Sequence, residues 1–257
     1  MTDAHINIQV AEGYEELRQF LEKLVIEGLP ADADVIYRSR NQVAVYEYNG
    51  RRVCIKAFRA PSFPNRYIYT HWRESKARRS YENSLRLRQM GFDAPQPLGY
   101  AEVVSRGALR QSYFVNEMLE GYTIRHWEEL PEAEYLVRDF AAYMLRMHRA
   151  GVMHKDFSPG NFLVTVDDAG QRHFNILDVN RMEFDVHDAD RLVRNFRCIN
   201  LNPAETAHLA REYAAQSGAD AAETERKAVA QLEAYERNKT VHRFLKRLIG
   251  KQKGWRR

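Results

Sequence analysis

Between His154 and Asp178 the chain carries three oxygen-bearing side chains at spacings that suit a hard metal ion. Asp156 and Asn161 share a loop that Pro159 and Gly160 bend, and Asp178 follows the second of two short apolar runs. Phe162 to Val166 and His173 to Leu177 read as paired strands, with a reversal beginning at Asp167 and Asp168. A hairpin of that kind returns Asp178 to the end where Asn161 sits, so that Asp156, Asn161 and Asp178 can converge. Magnesium prefers hard oxygen ligands and keeps substrate phosphates among its partners, so the spacing points to metal-assisted chemistry on a phosphate.

His154-Lys155-Asp156 followed by Asn161 resembles the protein-kinase catalytic loop H-x-D-x-x-x-x-N, and Asp178 after an apolar strand resembles the Asp of the D-F-G element. The resemblance implies that Asp156 accepts the proton of the substrate hydroxyl. It implies too that Asn161 and Asp178 hold the Mg²⁺ that bridges the ATP phosphates, and that His154 packs the loop. For a pattern this short the alternative is a surface hairpin with capping polar residues.

A kinase reading requires a lysine, a pairing glutamate and a hinge upstream. Arg52 to Phe58 alternates like a strand and follows a Tyr48-Asn49-Gly50 turn that closes a hairpin, putting Lys56 on one face with Cys54 and Phe58. It resembles the kinase strand whose lysine contacts the α and β phosphates; an ordinary strand lysine reaching for solvent is the alternative. From about Glu74 to Met90, Ala77, Tyr81 and Leu85 recur every four residues and Gly91 supplies a stop, which predicts a helix. Glu82 lies beside that stripe and is expected to hold Lys56 toward the phosphates, against the alternative of an ion pair with Arg78 or Arg86 four residues away. Pro95 and Pro97 then break the pattern, and a strand is expected around Ala101 to Val104. The run Tyr113 to Gly121 resembles the last small-lobe strand and hinge, which would set backbone groups of Glu117 and Leu119 against adenine and Asn116 near the gatekeeper position.

The rest of the chain sets bounds. With 257 residues, 44% of them hydrophobic, it can bury a substantial core. Two cysteines make neither a disulfide framework nor a metal site. The amino end lacks the charged start and apolar core of a secretory signal, and no apolar run is long enough to cross a bilayer, which predicts a cytoplasmic protein. In the first 30 residues a short strand precedes an amphipathic helix with Leu17, Phe20, Leu21 and Leu24 on one face. Leu136, Phe140, Met144 and Met147 form a second buried stripe leading into the loop of Asp156. Glu183, Asp185, Asp188 and Asp190 read as a solvated acidic segment. From Arg237 to Arg257 there are nine Lys or Arg residues and no acid, interleaved with Phe244, Leu248, Ile249 and Trp255, a composition suited to an anionic membrane or to a phosphorylated substrate. A second basic group, including Arg66, Arg73 and Arg79, surrounds the Glu82 helix. Neither cluster holds a nucleic-acid motif and the net charge is only +4, so no nucleic-acid partner is expected.

The expected architecture is α+β: a protein-kinase-like two-lobed fold with a small, mainly antiparallel-sheet lobe over residues 1–120 and a larger helical lobe with the catalytic hairpin over 121–257. Several features depart from protein kinases. Arg38 to Gln42 contains no glycine where a glycine-rich phosphate loop is usual, Val179-Asn180 replaces Phe-Gly, Lys155 replaces Arg, and no A-P-E element follows. The path from Asp178 to the next helix is short, which favours a small or sugar acceptor over a docked peptide. Ser75-Lys76-Ala77 with Tyr81-Glu82, Asp156 to Asn161, and Asp178 to Met182 together resemble the bacterial lipopolysaccharide kinases of the Kdo/heptose (InaA-like) group. That resemblance implies transfer of the ATP γ-phosphate to a sugar hydroxyl of the lipopolysaccharide inner core. The alternatives are a small-molecule phosphotransferase of the aminoglycoside or choline type, and a pseudokinase that binds a partner without catalysis.

Overall fold

The computed structural model describes residues 4–60, 74–124, 133–198 and 201–253, with side chains as far as Val241 apart from Glu134 and Cys198. The chain divides into two compact units, one of residues 1–122 with 163–180 and the other of residues 123–162 with 181–257.

The first unit is built on a six-stranded antiparallel sheet. Its strands are β1 (Ala4–Val10), β2 (Asp34–Arg38), β3 (Gln42–Tyr48), β4 (Arg51–Arg59), β5 (Pro97–Ser105) and β6 (Ala108–Glu117), in the order β1-β5-β6-β4-β3-β2. The expected turn between β3 and β4 is present. Asn49 and Gly50 both have positive φ, 49° and 74°, as a two-residue hairpin turn that matches strand twist requires. Alternation along β4 then separates two faces. Val53 and Ile55 join Tyr113 and Val115 against helix α1 (Leu17–Glu27), which buries the predicted stripe of Leu17, Phe20, Leu21 and Leu24. On the opposite face Phe58 and Phe114 pack with Ala77 and Tyr81 of helix α2 (Lys76–Gln89). Ser75 caps α2 by accepting from Arg78 N at 3.1 Å, and Gly91, at φ 80°, ends it where the sequence placed the stop.

The strand β7 (Tyr122–Thr123) and the hairpin of β9 (Phe162–Val166) and β10 (Arg172–Ile176) form a three-stranded sheet in the order β10-β9-β7. Asp167 shapes the hairpin turn, its Oδ1 accepting from the amides of Ala169 and Gln171 at 3.0 and 2.8 Å.

The second unit is mainly helical. Helix α3 (Ala133–Arg149) buries Leu136, Phe140, Met144 and Met147, as its periodicity predicts. The two-residue strands β8 (Met153–His154) and β11 (Met182–Glu183) pair antiparallel. The short helix α4 (Ala189–Leu192), the 15-residue α5 (Pro203–Ser217) and the 33-residue α6 (Ala221–Lys253) complete the unit. No helix of the described residues is long and apolar enough to cross a membrane.

Candidate active site

Register fixes Lys56 in the first unit: on β4 it faces Val43 of β3 and Phe114 of β6. Its Nζ donates to Leu177 O at 2.5 Å and lies 5.9 Å from the centroid of the Phe114 ring. The lysine therefore touches the residue before Asp178, 121 positions along the chain. Asp178 follows β10 and is succeeded by a 3-10 turn over Val179–Arg181. The buried Asn180 side chain donates to Asp178 Oδ1 and so orients the carboxylate.

Glu82 sits elsewhere than expected. Its Oε1 accepts from Arg78 Nε at 2.7 Å, and Glu74 pairs with the same guanidinium at 3.1 Å, so the lysine–glutamate pair is replaced by a helical i,i+4 pair. The physical reason is local. Arg78 lies one turn from Glu82 on the same face, while the Lys56 ammonium donates to the Leu177 carbonyl. Burial pushes the Glu74 carboxyl above its ordinary range, and its hydrogen bond with Glu82 pushes the same way. The Arg78 guanidinium is raised in turn, first by its bond to Glu82. Burial also raises the Cys54 thiol beside Lys56, against the lowering effect of the ammonium.

At the end of β6, Glu117 N donates to Gln96 O at 2.9 Å and Glu117 O accepts from Asn116 Nδ2 at 2.7 Å. The Glu117 carbonyl keeps a second lone pair. Leu119 lies half-buried in the segment after the strand. In the β2–β3 turn, Ser39 N donates to Asn41 O at 3.0 Å, so that amide closes the turn.

In the second unit the Asp156 loop is assembled by side chains. His154 is fully buried, as its packing role requires, and its Nδ1 accepts from Asp156 N at 3.0 Å. Asn195 Nδ2 donates to His154 O at 2.8 Å. Phe157 and Phe162, both fully buried, lie 4.6 Å apart by ring centroid, and Phe140 is 5.5 and 5.1 Å from them. Asn161 Nδ2 donates to Asp156 O at 2.8 Å, which turns Asn161 Oδ1 away from that carbonyl. Asp156 Oδ2 accepts from Arg181 Nη1 at 3.0 Å. The acidic segment is occupied by pairing and capping. Glu183 bridges Lys155 at 2.5 Å and Arg191 at 2.7 Å, and Asp188 caps α4 through the amides of Asp190 and Arg191.

The donor chemistry fits magnesium, which takes one or two carboxylates and completes its shell with phosphate oxygens and water. In the first unit Asp178 offers an oriented carboxylate, and in the second Asn161 offers an amide oxygen, each a hard donor. Among the described residues no three His, Cys, Asp or Glu side chains gather as a metal site, so an all-protein cage has no support. The sequence reading missed Arg79, Asn83, Asn180 and Arg181. Asn180 and Arg181 were within reach, since they flank the motif. The basic tail beyond Val241, with Phe244, Leu248, Ile249 and Trp255, lies outside the described side chains, as do Arg66 and Arg73 of the other basic group.

The fold is protein-kinase-like. The structure is similar to that of WaaP in complex with acyl carrier protein, at 20% identity and a TM-score of 0.61, covering 90% of this chain and 97% of that one. It is also similar to the Rio2 kinase–ADP/Mg²⁺–phosphoaspartate complex from Chaetomium thermophilum, at 16% identity and a TM-score of 0.50, covering 96% of this chain and 78% of that one. The model of the lipopolysaccharide kinase (Kdo/WaaP) family matches residues 38–213. The chain belongs to that family, and it is a kinase, a phosphotransferase. No curated protein matches the sequence.

Proposed function

We propose that the chain moves the γ-phosphate of ATP to a sugar hydroxyl on the Kdo/heptose inner core of lipopolysaccharide. The observation that carries this reading is the 2.5 Å bond from Lys56 Nζ to Leu177 O, which sets an ammonium beside the residue that precedes Asp178. In this reading Lys56 takes the α and β phosphates, backbone groups of Glu117 and Leu119 meet adenine, and Asn161 and Asp178 hold Mg²⁺. Bound magnesium would neutralise charge that develops on the transferring phosphoryl group. Asp156 accepts the proton of the acceptor hydroxyl. Arg181, 52% exposed, pairs with Asp156 and offers its remaining donors to an anionic acceptor. For Glu82 to serve Lys56, nucleotide binding has to draw it from Arg78.

The acceptor is embedded in a membrane, so the reaction belongs to the cytoplasmic face of the inner membrane. The basic stretch from Arg237 to Arg257 supports peripheral contact with anionic lipid there. The test is incubation of purified protein with Mg²⁺, labelled ATP, and Kdo-lipid A or heptosylated acceptors. Label is expected on the sugar. Protein that is stabilised by Mg²⁺-ATP yet leaves every such acceptor unlabelled defeats the acceptor assignment alone.

A further inference from the structure

The segment around Asp178 is held by helix α2 through two side chains that neither the kinase motifs nor the family resemblance nominates. Asn83 Nδ2 donates to Val179 O at 2.7 Å, and Arg79 Nη1 donates to Asn180 O at 2.9 Å. The two donors stand one turn apart on α2 and reach backbone 96 and 101 residues further along the chain. Val179 and Asn180 are themselves buried, 1% and 4% exposed, so their carbonyls have poor access to solvent replacements. Asn180 then passes the constraint onward, because its side chain donates to Asp178 Oδ1. On the other side Lys56 fixes Leu177 O.

We propose that Arg79 and Asn83 are positioning residues for Asp178 and set how tightly this chain binds Mg²⁺-nucleotide. The inference rests on the reading that Asp178 holds the metal. Glu82 pairs with Arg78 instead of Lys56, so the link from α2 to the metal-side segment runs through Arg79 and Asn83. Without these donors, residues 179–180 lose the bonds that hold their turn, and the Asp178 carboxylate loses its fixed direction. Binding of nucleotide without metal does not depend on that direction.

The experiment is a thermal-shift titration of Mg²⁺ at fixed ADP, beside a second measurement with ADP and a chelator. Asn83→Asp keeps the size of the side chain but cannot donate, Asn83→Ala removes it, and Arg79→Gln shortens it. Each is expected to raise the half-saturating Mg²⁺ concentration about tenfold, the scale of one lost hydrogen bond that leaves a buried carbonyl unpaired, with the metal-free shift at the parent value. Arg88→Gln, on the same helix with its guanidinium on Ala94 O, should match the parent. Parent-like Mg²⁺ dependence in Asn83→Asp and Arg79→Gln overturns the proposal, as does an equal loss of the metal-free and metal-dependent shifts. Asp178→Asn separates the two levels. If it too keeps the parent's Mg²⁺ dependence, the metal assignment of Asp178 fails; if it alone loses that dependence, only the clamp fails.

Discussion

Lys56 and Asp156 are positioned by different physics. Lys56 belongs to a strand with a partner on each side, so its place is set by backbone hydrogen bonds in fixed register. Asp156 belongs to a loop whose nearest ladder is the two-residue pairing of β8 with β11, and beyond the backbone bonds of Ser158 N to Asp156 O and Lys155 N to Arg181 O its place is set by side chains: a cluster of three phenylalanines, a buried histidine, and the Asn161 and Asn195 amides. A backbone ladder tolerates change in neighbouring side chains. A loop held by side chains transmits each change to the group it carries.

The largest effect that sharpens this contrast is chemical. Asp156→Asn keeps the shape of the loop and removes the proposed proton acceptor, and it should lower turnover on the order of 10²–10⁴-fold while Mg²⁺-ATP still raises the melting temperature. Turnover equal to the parent's would remove Asp156 from the role of base. Lys56→Met should do the reverse, weakening the nucleotide-induced shift first.

Packing gives the next effect. Phe157→Ala empties the centre of the aromatic cluster and should destabilise the protein by about 3–5 kcal/mol in denaturant unfolding, with turnover falling more than nucleotide affinity. Ile55→Val, next to Lys56 and fully buried, should cost only about 1 kcal/mol and leave nucleotide affinity unchanged. If both substitutions disturb their functional neighbour equally, the contrast between ladder and loop is broken.

What the sequence shows and hides follows the same division. The Asn49-Gly50 turn, the Gly91 stop, the stripe of α3 and the hairpin after Asn161 were legible because each depends on residues close together in the chain. Strand β5 begins at Pro97, earlier than the Ala101 expected, because a proline that breaks the middle of a strand can open one, and Pro97 pairs with Asn116 at the strand's first position. The partner of Glu82 was open between Lys56 and Arg78 or Arg86, since periodicity tells which face of a helix is buried and not which donor arrives from across the fold. Arg79 and Asn83 were hidden for the same reason. Their acceptors are backbone carbonyls about 100 residues away, which carry no side-chain signature. That residues 163–180 join the first unit was equally invisible, because no periodicity marks which unit a hairpin joins.

The second unit carries a pH dependence of its own, centred on a buried histidine. His148 is 4% exposed, with Nδ1 3.0 Å from Tyr213 Oη and Nε2 3.1 Å from Asn195 Oδ1. Burial lowers its pKa from 6.5 to about 4, against the raising effect of the Asn195 bond. Between those values the unfolded chain binds a proton that the folded chain refuses, so stability is complete above about pH 6.5 and is lost as pH falls toward 4. The loss should reach about 3 kcal/mol in urea unfolding at pH 4 relative to pH 7. His148→Gln should flatten that slope. Asn195 also donates to His154 O, so acidification should loosen the Asp156 loop before it touches the sheet of Lys56.

The smallest effect probes the helix that connects Lys56's sheet to the Asp178 segment. Ser75 is 2% exposed and its hydroxyl accepts from Arg78 N at 3.1 Å, which satisfies one of the amides left unpaired at the start of α2. Ser75→Ala should cost about 1 kcal/mol, read as a shift in the denaturant midpoint. Fraying at that end reaches Arg79, the fourth residue of α2, before it reaches Asn83. The variant should therefore weaken Mg²⁺-ADP binding slightly and less than Arg79→Gln does, while the Asp156 loop, held by its own aromatic cluster, keeps its resistance to urea. Hydrogen exchange measures both in one experiment: faster exchange confined to the first turn of α2 and residues 179–180 supports the separation, and faster exchange at residues 154–158 would end it.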